Sequence, residues 1–132
     1  RGLGDVYKRQ PFIPVIAPIG IGEDFKTYNI NADIVAGKIA KILQAGKYVV
    51  LTNTTGIFDD NGNLIKSMNA EQVRQLVNKG IISSGMLPKV ESALEAVSAG
   101  VQNVQIIDGT IDHAILLELF TDEGVGTMIR RT

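Results

Sequence analysis

One uninterrupted apolar run, Tyr48 to Thr52 (YVVLT), constrains the fold of this chain more than any other feature. It follows a segment with helical spacing, and such runs are typical of strands covered on both faces, as in a parallel sheet. A second strand is predicted over Val104 to Ile107, again after a helical segment. Because predicted strands and helices alternate along most of the 132 residues, the sequence predicts an α/β layered fold with a mainly parallel sheet.

The first helical segment has clear signals at both ends. Asn31 is predicted to be its N-cap, and Asp33 lies in the first turn, where a carboxylate suits the helix dipole. Gly46 is predicted to end the helix. The residues predicted to face inward are Val35, Ile39, Ile42 and Leu43.

Three further segments have the same helical period. Asn69 and Gly80 are predicted to bound the second helix, and Ser83 or Ser84 to begin the third. The predicted inner faces are Val73, Leu76 and Val77 in the second helix; Met86, Val90, Ala93, Leu94 and Val97 in the third; and Ile115, Leu116, Leu119 and Phe120 in the fourth. The residues predicted on the solvent face of the third helix are Glu91, Ser92 and Glu95.

Four other segments are predicted to be extended. Residues 13–17 (IPVIA) are predicted to form a strand before a Gly-rich turn, and residues 28–30 a short extended piece. The turn sequence of residues 59–63 (DDNGN) predicts a hairpin between two apolar pairs. Residues 127–129 are predicted to form a last short strand.

Composition narrows the function classes. Thirteen basic and fourteen acidic side chains leave a net charge of −1, which excludes broad electrostatic binding of nucleic acid. The chain has no cysteine, which excludes disulfides, thiolate metal sites and cysteine nucleophiles. No apolar run reaches the roughly 18 residues that span a bilayer. We therefore expect a cytoplasmic protein without nucleic-acid or membrane partners.

Three polar segments lie where ligands bind in α/β sheets, at junctions between strands and helices. They are residues 29–33 (NINAD), 52–56 (TNTTG) and 83–89 (SSGMLPK). Each has a simpler explanation. Spacing alone favours helix capping for the first segment, whereas an ordinary polar loop and a solvated surface lysine explain the second and third about as well as a ligand site does. The single histidine, His113, is poor evidence for a metal site, and no metal ligands are predicted.

Taken together, the segments resemble the C-terminal half of the acetylglutamate kinases, in the amino acid kinase family. The resembling stretches, in order, are IPVIAPIGIGED, YNINAD, LTNTTGI, GIISSGMLPKVESALEAV, IIDG and HAILLELFTDEGVGTMI. The resemblance implies an αβα sandwich and transfer of the ATP γ-phosphoryl group to the side-chain carboxylate of N-acetyl-L-glutamate, in arginine biosynthesis. Mg²⁺ would be bound through the nucleotide, and the whole enzyme is expected to be a homo-oligomer.

The resemblance also implies residue roles. Lys89 matches a lysine that contacts the transferring phosphoryl group, and Asp33 an aspartate that organises the catalytic lysines. Asn29, with Asn31 close to it, matches the substrate-binding position. The residues that match nucleotide-contacting stretches are Asn53, Thr54, Thr55, Gly56, Ile57, Phe58, Ile81, Ile82 and Ser83. Many family members have aspartate where this chain has Asn53.

A possible effector site lies near the end of the chain. Glu118, followed by Gly124 and Gly126, resembles the L-arginine site of arginine-sensitive members, although Gln105 stands where some of those have histidine. A carboxylate can pair with a guanidinium there, and the simpler explanation is that Glu118 is a helix-surface residue.

The extent of the domain is a further expectation. Residues 1–10 have no clean period and resemble translated adapter sequence, so we expect a non-native leader. Residues 11–132 are expected to form the C-terminal nucleotide-binding half of an amino acid kinase domain. Another kinase of this family, and a non-catalytic effector-sensing module of the same fold, are the alternatives.

Overall fold

The computed structural model describes residues 13–121 and 124–131, so the predicted leader at residues 1–10 lies outside the described residues. The elements, in chain order, are β1 (Ile19–Ile21), β2 (Thr27–Asn29), α1 (Ala32–Ile42), β3 (Lys47–Thr52), β4 (Ser67–Asn69), α2 (Ala70–Asn78), α3 (Leu87–Ser98), β5 (Asn103–Asp108), α4 (Ala114–Phe120) and β6 (Thr127–Arg130).

The main sheet has four strands in the order β3-β5-β6-β4. The pairs β3 with β5 and β4 with β6 are parallel, whereas β5 and β6 are antiparallel. Strands β1 and β2 form a separate antiparallel ribbon. The predicted α/β fold with a mainly parallel sheet is confirmed.

Helical layers cover both faces of the sheet. Tyr48 and Val50 of β3 point to the same face as Val104 and Ile106 of β5, and they form the core with α1, α2 and α3. The opposite face is covered in part by α4, whose buried Glu118 pairs with a lysine of β3. This arrangement is the αβα sandwich that the resemblance implied.

Several helix ends lie where the local sequence signals predicted them. The Asn31 side chain accepts the backbone N–H of Asp33 at 2.9 Å and caps α1. Asn69 and Gln72 form a reciprocal capping box at the start of α2. Gly80 follows α2 with φ +69°, a conformation that favours glycine. The hairpin of residues 57–65 is also confirmed, with a bridge between Phe58 and Leu64.

The predicted strand at residues 13–17 is wrong, because the strand forms at Ile19–Ile21 instead. A strand needs a partner for its hydrogen bonds, and within the described residues β2 supplies that partner to Ile19–Ile21. Pro14 lacks a backbone N–H and suits an unpaired segment.

Gly46 does not end α1. The helix ends at Ile42, and Gln44 takes the left-handed conformation with φ +47°. The Gln44 side-chain amide donates to the carbonyls of Lys41 and Ala99 at 2.8 and 3.1 Å. These bonds hold a non-glycine residue in the conformation for which glycine was predicted.

The inner face of α1 also differs from the prediction. Its buried residues are Gly37 and Ala40, while Ile42 is 70% exposed. The large predicted residues Val35, Ile39 and Leu43 are half-buried. The small face of α1 packs against α3, which brings the two helix backbones close together.

Three predictions for the later helices are corrected. Helix α3 begins at Leu87, because Ser83 forms the preceding turn and accepts the N–H groups of Met86 and Leu87. Ser92 is buried rather than on the solvent face, because it bonds to α1 and β3. In α4 the bonds made by Glu118 turn the Glu118 side of the helix toward the sheet. The residues predicted to face inward are therefore exposed: Ile115, Leu116, Leu119 and Phe120.

No helix among residues 13–121 and 124–131 is long and apolar enough to cross a membrane.

Candidate active site

The starts of α1 and α3 lie at one edge of the sheet. Helix α1 precedes β3 and α3 precedes β5, with a short reversal of the chain in each case. Each helix therefore begins beside the carboxyl end of the strand that follows it. Thr52 and Asp108 are paired at the ends of these two parallel strands. In α/β sheets this edge is where ligands bind.

Lys89 and Asp33 meet at this edge, as the resemblance implied. The Lys89 ammonium donates to both carboxylate oxygens of Asp33 at 3.0 Å. The two side chains are 22% and 21% exposed, so the pair is largely shielded yet open on one side. Lys89 is thus not a freely solvated surface lysine. Its charge opposes the α3 dipole, and the carboxylate of Asp33 compensates for that.

Asn29 and Asn31 flank the start of α1. Asn29 is the exposed last residue of β2, and Asn31 is the exposed N-cap of the helix. The side-chain oxygen of Asn31 is used in capping, as the simpler explanation had it. Asn29 lies four residues before Asp33 in the chain, at the end of the strand that leads into α1.

A cavity of about 180 Å³ brings together the two segments predicted to bind a nucleotide. Its Met86 is the N-cap of α3, so the cavity adjoins the turn that carries Lys89. Asn53 and Thr55 are exposed and lie outside its lining. The lining residues are Thr54, Gly56, Ile57, Phe58, Asp59, Ile81, Ile82, Ser83 and Met86.

The loop after β3 is held in shape by a residue that sequence reasoning missed. Thr127, fully buried in β6, accepts the backbone N–H of Ile57 through its hydroxyl oxygen at 2.8 Å. A Cβ at Gly56, which has φ +155°, would lie 2.6 Å from that oxygen. The close approach therefore requires glycine. Thr127 is 70 residues from Ile57 in the chain, so no local sequence pattern predicts the contact.

Asp59 lines the cavity and was also missed by sequence reasoning. Its carboxylate accepts the backbone N–H groups of Asn61 and Asn63 at 2.9 and 2.8 Å. The bonds from Asn63 hold the pKa of Asp59 below its ordinary value. The sequence marks Asp59 as a turn residue, which it is, but gives no sign that it borders a cavity.

Glu118 is buried and fully engaged. One carboxylate oxygen pairs with the Lys47 ammonium, and the other accepts the backbone N–H of Val125 at 3.0 Å. The Gln105 side-chain amide donates to the Val125 carbonyl at 2.7 Å. The explanation of Glu118 as a helix-surface residue is wrong, since it is 6% exposed.

The two glycines beside Val125 have positive φ angles, +41° at Gly124 and +87° at Gly126. A Cβ at Gly126 would overlap the carbonyl of Ile106 in β5. Gly126 therefore lets the segment pass close over the sheet, within reach of Glu118.

Within the described part of the chain, no group of three histidine, cysteine, aspartate or glutamate side chains is arranged to hold a metal ion. His113 is the exposed N-cap of α4, in the left-handed conformation with φ +59°.

Relatives and solved structures agree with this arrangement. The model of the amino acid kinase family matches residues 3–108. The chain is 58% identical to an acetylglutamate kinase of Nitrosococcus oceani over 96% of its length, and 57% identical to one of Nitrosomonas eutropha over 90%. It spans 42% and 40% of those two proteins.

Two solved structures illustrate the fold. The N-acetylglutamate synthase of Neisseria gonorrhoeae, complexed with coenzyme A and L-arginine, is 34% identical with a TM-score of 0.81, over 89% of this chain and 27% of that one. Carbamate kinase of Giardia lamblia bound to AMP-PNP is 20% identical with a TM-score of 0.66, over 83% of this chain and 36% of that one, which shows a shared fold. On the match of the family model to most of its length, the chain belongs to the amino acid kinase family.

Proposed function

We propose that this chain is the C-terminal, nucleotide-binding part of an acetylglutamate kinase. The reaction transfers the ATP γ-phosphoryl group to the side-chain carboxylate of N-acetyl-L-glutamate and forms N-acetyl-L-glutamyl 5-phosphate, in arginine biosynthesis. The observation that carries the proposal is the Lys89–Asp33 pair beside a cavity lined by the predicted nucleotide loops. The 58% identity to an acetylglutamate kinase supports the choice of substrate.

The chemistry explains why a lysine and an aspartate suffice at this position. Acceptor carboxylate and γ-phosphoryl group are both anionic and repel each other, so catalysis consists of positioning and charge neutralisation. Lys89 neutralises charge on the phosphoryl group, and Asp33 holds the ammonium in place. The attacking carboxylate is ionised near neutral pH, so no general base is required.

The cavity suits the base and ribose of ATP. Ile57, Ile81 and Ile82 supply apolar surface for a base, while Thr54 and Ser83 supply hydroxyl groups. Mg²⁺ would accompany ATP, bound through the nucleotide phosphates. Asn29, at the exposed end of β2, is proposed to bind the acyl-amino-acid substrate together with Asn31, the N-cap of α1.

The experiment that tests the proposal measures acyl phosphate formation by the full-length enzyme. With ATP, Mg²⁺ and N-acetyl-L-glutamate, hydroxylamine traps the acyl phosphate as a hydroxamate, and ADP forms in equal amount. Reactions with unacetylated L-glutamate, or without an acceptor, are the controls. Turnover of another acceptor in place of N-acetyl-L-glutamate would make the chain part of a different kinase of this family.

A second candidate is an effector-sensing module of the same fold. The 34% identity to a synthase complexed with L-arginine favours it. The paired Lys89 and Asp33 favour the kinase, because binding an effector at a separate site does not require them. Arginine binding without any ATP turnover by the full-length protein would support the sensing module and contradict the kinase.

We further propose that L-arginine regulates the full-length enzyme through the segment around Glu118. Arginine would bring a guanidinium to the carboxylate that Lys47 now occupies, so binding exchanges one cation for another. Arginine is expected to inhibit the enzyme at millimolar concentration or below, and Glu118→Gln to weaken the inhibition. Unchanged activity at millimolar arginine would contradict this proposal. The oligomer expected for the whole enzyme is measured by light scattering with and without arginine.

A further inference from the structure

A chain of buried hydroxyl groups joins β3 to the start of α1. The Ser92 hydroxyl of α3 donates to the backbone carbonyl of Asp33 at 2.8 Å. The Tyr48 hydroxyl of β3 lies 3.0 Å from the same Ser92 oxygen. Because the single proton of Ser92 is committed to Asp33, Tyr48 must donate to Ser92. We name this arrangement the hydroxyl relay: Tyr48, Ser92 and the Asp33 carbonyl.

The two side chains of the relay are buried. Tyr48 and Ser92 are 8% and 6% exposed, so water does not compete readily for their hydroxyl groups. Burial also raises the pKa of Tyr48 above its ordinary value, which keeps the donor proton in place at neutral pH. A buried hydroxyl without a partner is costly, so each member holds the others in one geometry.

The relay acts at the turn that carries the charged pair. Ser92 lies three residues after Lys89 on α3, on the same side of the helix. Gly37 lies four residues after Asp33 on α1, and a Cβ there would overlap the Ser92 oxygen. The absence of that Cβ lets Ser92 reach the backbone of α1. The two helices are thus fastened one turn from the point where Lys89 meets Asp33.

Another link between the two helices is weaker. Glu95 accepts from Lys38 and Lys41 at 3.2 and 3.4 Å, and all three side chains are at least 40% exposed. Exposed pairs of this kind contribute little and tolerate movement. Of these two polar links between the helices, the buried hydroxyl relay is the one better able to fix the position of the Asp33 backbone.

We infer that Ser92 and Tyr48 are positioning residues for phosphoryl transfer, because they hold the Asp33 backbone where its carboxylate can orient the Lys89 ammonium. This inference rests on the proposed function. Neither side chain touches ATP or the acceptor in this account. Both act through Asp33 and Lys89, so their removal changes the rate of the chemical step more than the binding of either substrate.

Steady-state kinetics of Ser92→Ala and Tyr48→Phe in the full-length enzyme test the inference. We expect kcat to fall about tenfold in Ser92→Ala and less in Tyr48→Phe, because small displacements of aligned groups are costly. KM for ATP and for acetylglutamate should change by no more than about twofold. Ser98→Ala on the exposed end of α3, and Tyr28→Phe on β2, are matched controls expected to retain kcat.

A combination of variants separates positioning from mere stability. In a Lys89→Ala background, Ser92→Ala should lower kcat no further, because the group it positions is absent. If Ser92→Ala lowered kcat only because it destabilises the protein, the fall in kcat would be equal with Lys89 present and with Lys89→Ala. An unchanged kcat in Ser92→Ala, or a tenfold fall that persists without Lys89, would overturn the inference.

A crystal structure of Ser92→Ala tests the positioning of Lys89 and Asp33 directly, whichever substrate the enzyme uses. The inference predicts that Lys89 no longer contacts both oxygens of Asp33. If both contacts stay at their present 3.0 Å, the relay does not position the pair, whichever acceptor the enzyme uses. A wild-type enzyme that ignores acetylglutamate would instead contradict the proposed function and leave this structural comparison valid.

Discussion

At the scale of single residues, Lys89 places a positive charge in the first turn of α3, where the helix dipole disfavours it. The charge is retained in a shielded position only because Asp33 faces it from another helix. This arrangement of a lysine and an aspartate suits the binding of a ligand more than it stabilises the fold. The predictions at these positions therefore concern rate rather than stability.

Lys89→Ala in the full-length enzyme is expected to lower kcat by about 10²–10³, by analogy with the loss of one preorganised donor. Asp33→Asn keeps the size of the side chain but removes the charge that orients the ammonium, so kcat should fall as well. Steady-state kinetics and thermal melts of both variants provide the measurement. A near-wild-type kcat in Lys89→Ala would contradict the phosphoryl-contact role, and an unfolded Asp33→Asn would assign Asp33 to the fold.

Asn29→Ala is expected to act on the other substrate. Its exposed amide at the end of β2 makes no contribution to the core, so the variant should fold normally. KM for acetylglutamate should rise more than KM for ATP, because only the acceptor loses a hydrogen-bond partner. Equal rises in the KM values for ATP and acetylglutamate would contradict the proposal that Asn29 binds the acceptor.

At the scale of elements, the contact between α1 and α3 depends on a small residue. Gly37→Ala should improve helix propensity by about 1 kcal/mol. The added Cβ nevertheless overlaps the Ser92 oxygen, and overpacking of this kind costs about 1–3 kcal/mol. We expect a net destabilisation, measured by denaturant unfolding.

Gly46→Ala is the matched control for that measurement. Nothing lies within 4 Å of the position that its Cβ would take. Its effect on the free energy of unfolding should stay within about 0.5 kcal/mol. A Gly37→Ala protein as stable as this control would mean that the overlap with Ser92 costs no more than the gain in helix propensity, which would weaken the case for close packing at the relay.

At the scale of the whole molecule, the chain exposes apolar surface around the β1–β2 ribbon. Val15 and Phe25 are 95% and 90% exposed, and Ile21 is 77% exposed. The chain also spans only 42% of the length of a closely similar acetylglutamate kinase. The resemblance to the acetylglutamate kinases implies that the rest of the phosphate and acceptor sites lies in the part of those proteins that this chain does not span.

We therefore expect the purified 132-residue chain to have no acetylglutamate kinase activity and to self-associate through its exposed surface. The hydroxamate assay measures the activity, and size-exclusion chromatography measures the association. Turnover by the isolated chain would contradict both the proposed domain boundary and the division of the site between two halves. A monomeric chain would contradict the association alone.

The sequence by itself determined the features whose causes lie within a few residues. The capping of α1 by Asn31 joins atoms two residues apart, and the capping box of α2 joins atoms three residues apart. The strands β3, β5 and β6 were predicted within one residue of their observed bounds. The fold class followed from these local signals. The family, and the expectation that Asp33 organises catalytic lysines such as Lys89, came from the resemblance to the acetylglutamate kinases.

Only the tertiary structure decided which polar side chains are buried. Ser92 bonds to Tyr48 and to Asp33 across 44 and 59 residues, and Glu118 pairs with Lys47 across 71. The helical period placed Ser92 on the solvent face, and a surface position was the simpler explanation for Glu118, because periodicity assigns polar residues to water unless a distant partner satisfies them. Burial of a polar group is stable only with such a partner, and the partner's position is a property of the assembled fold.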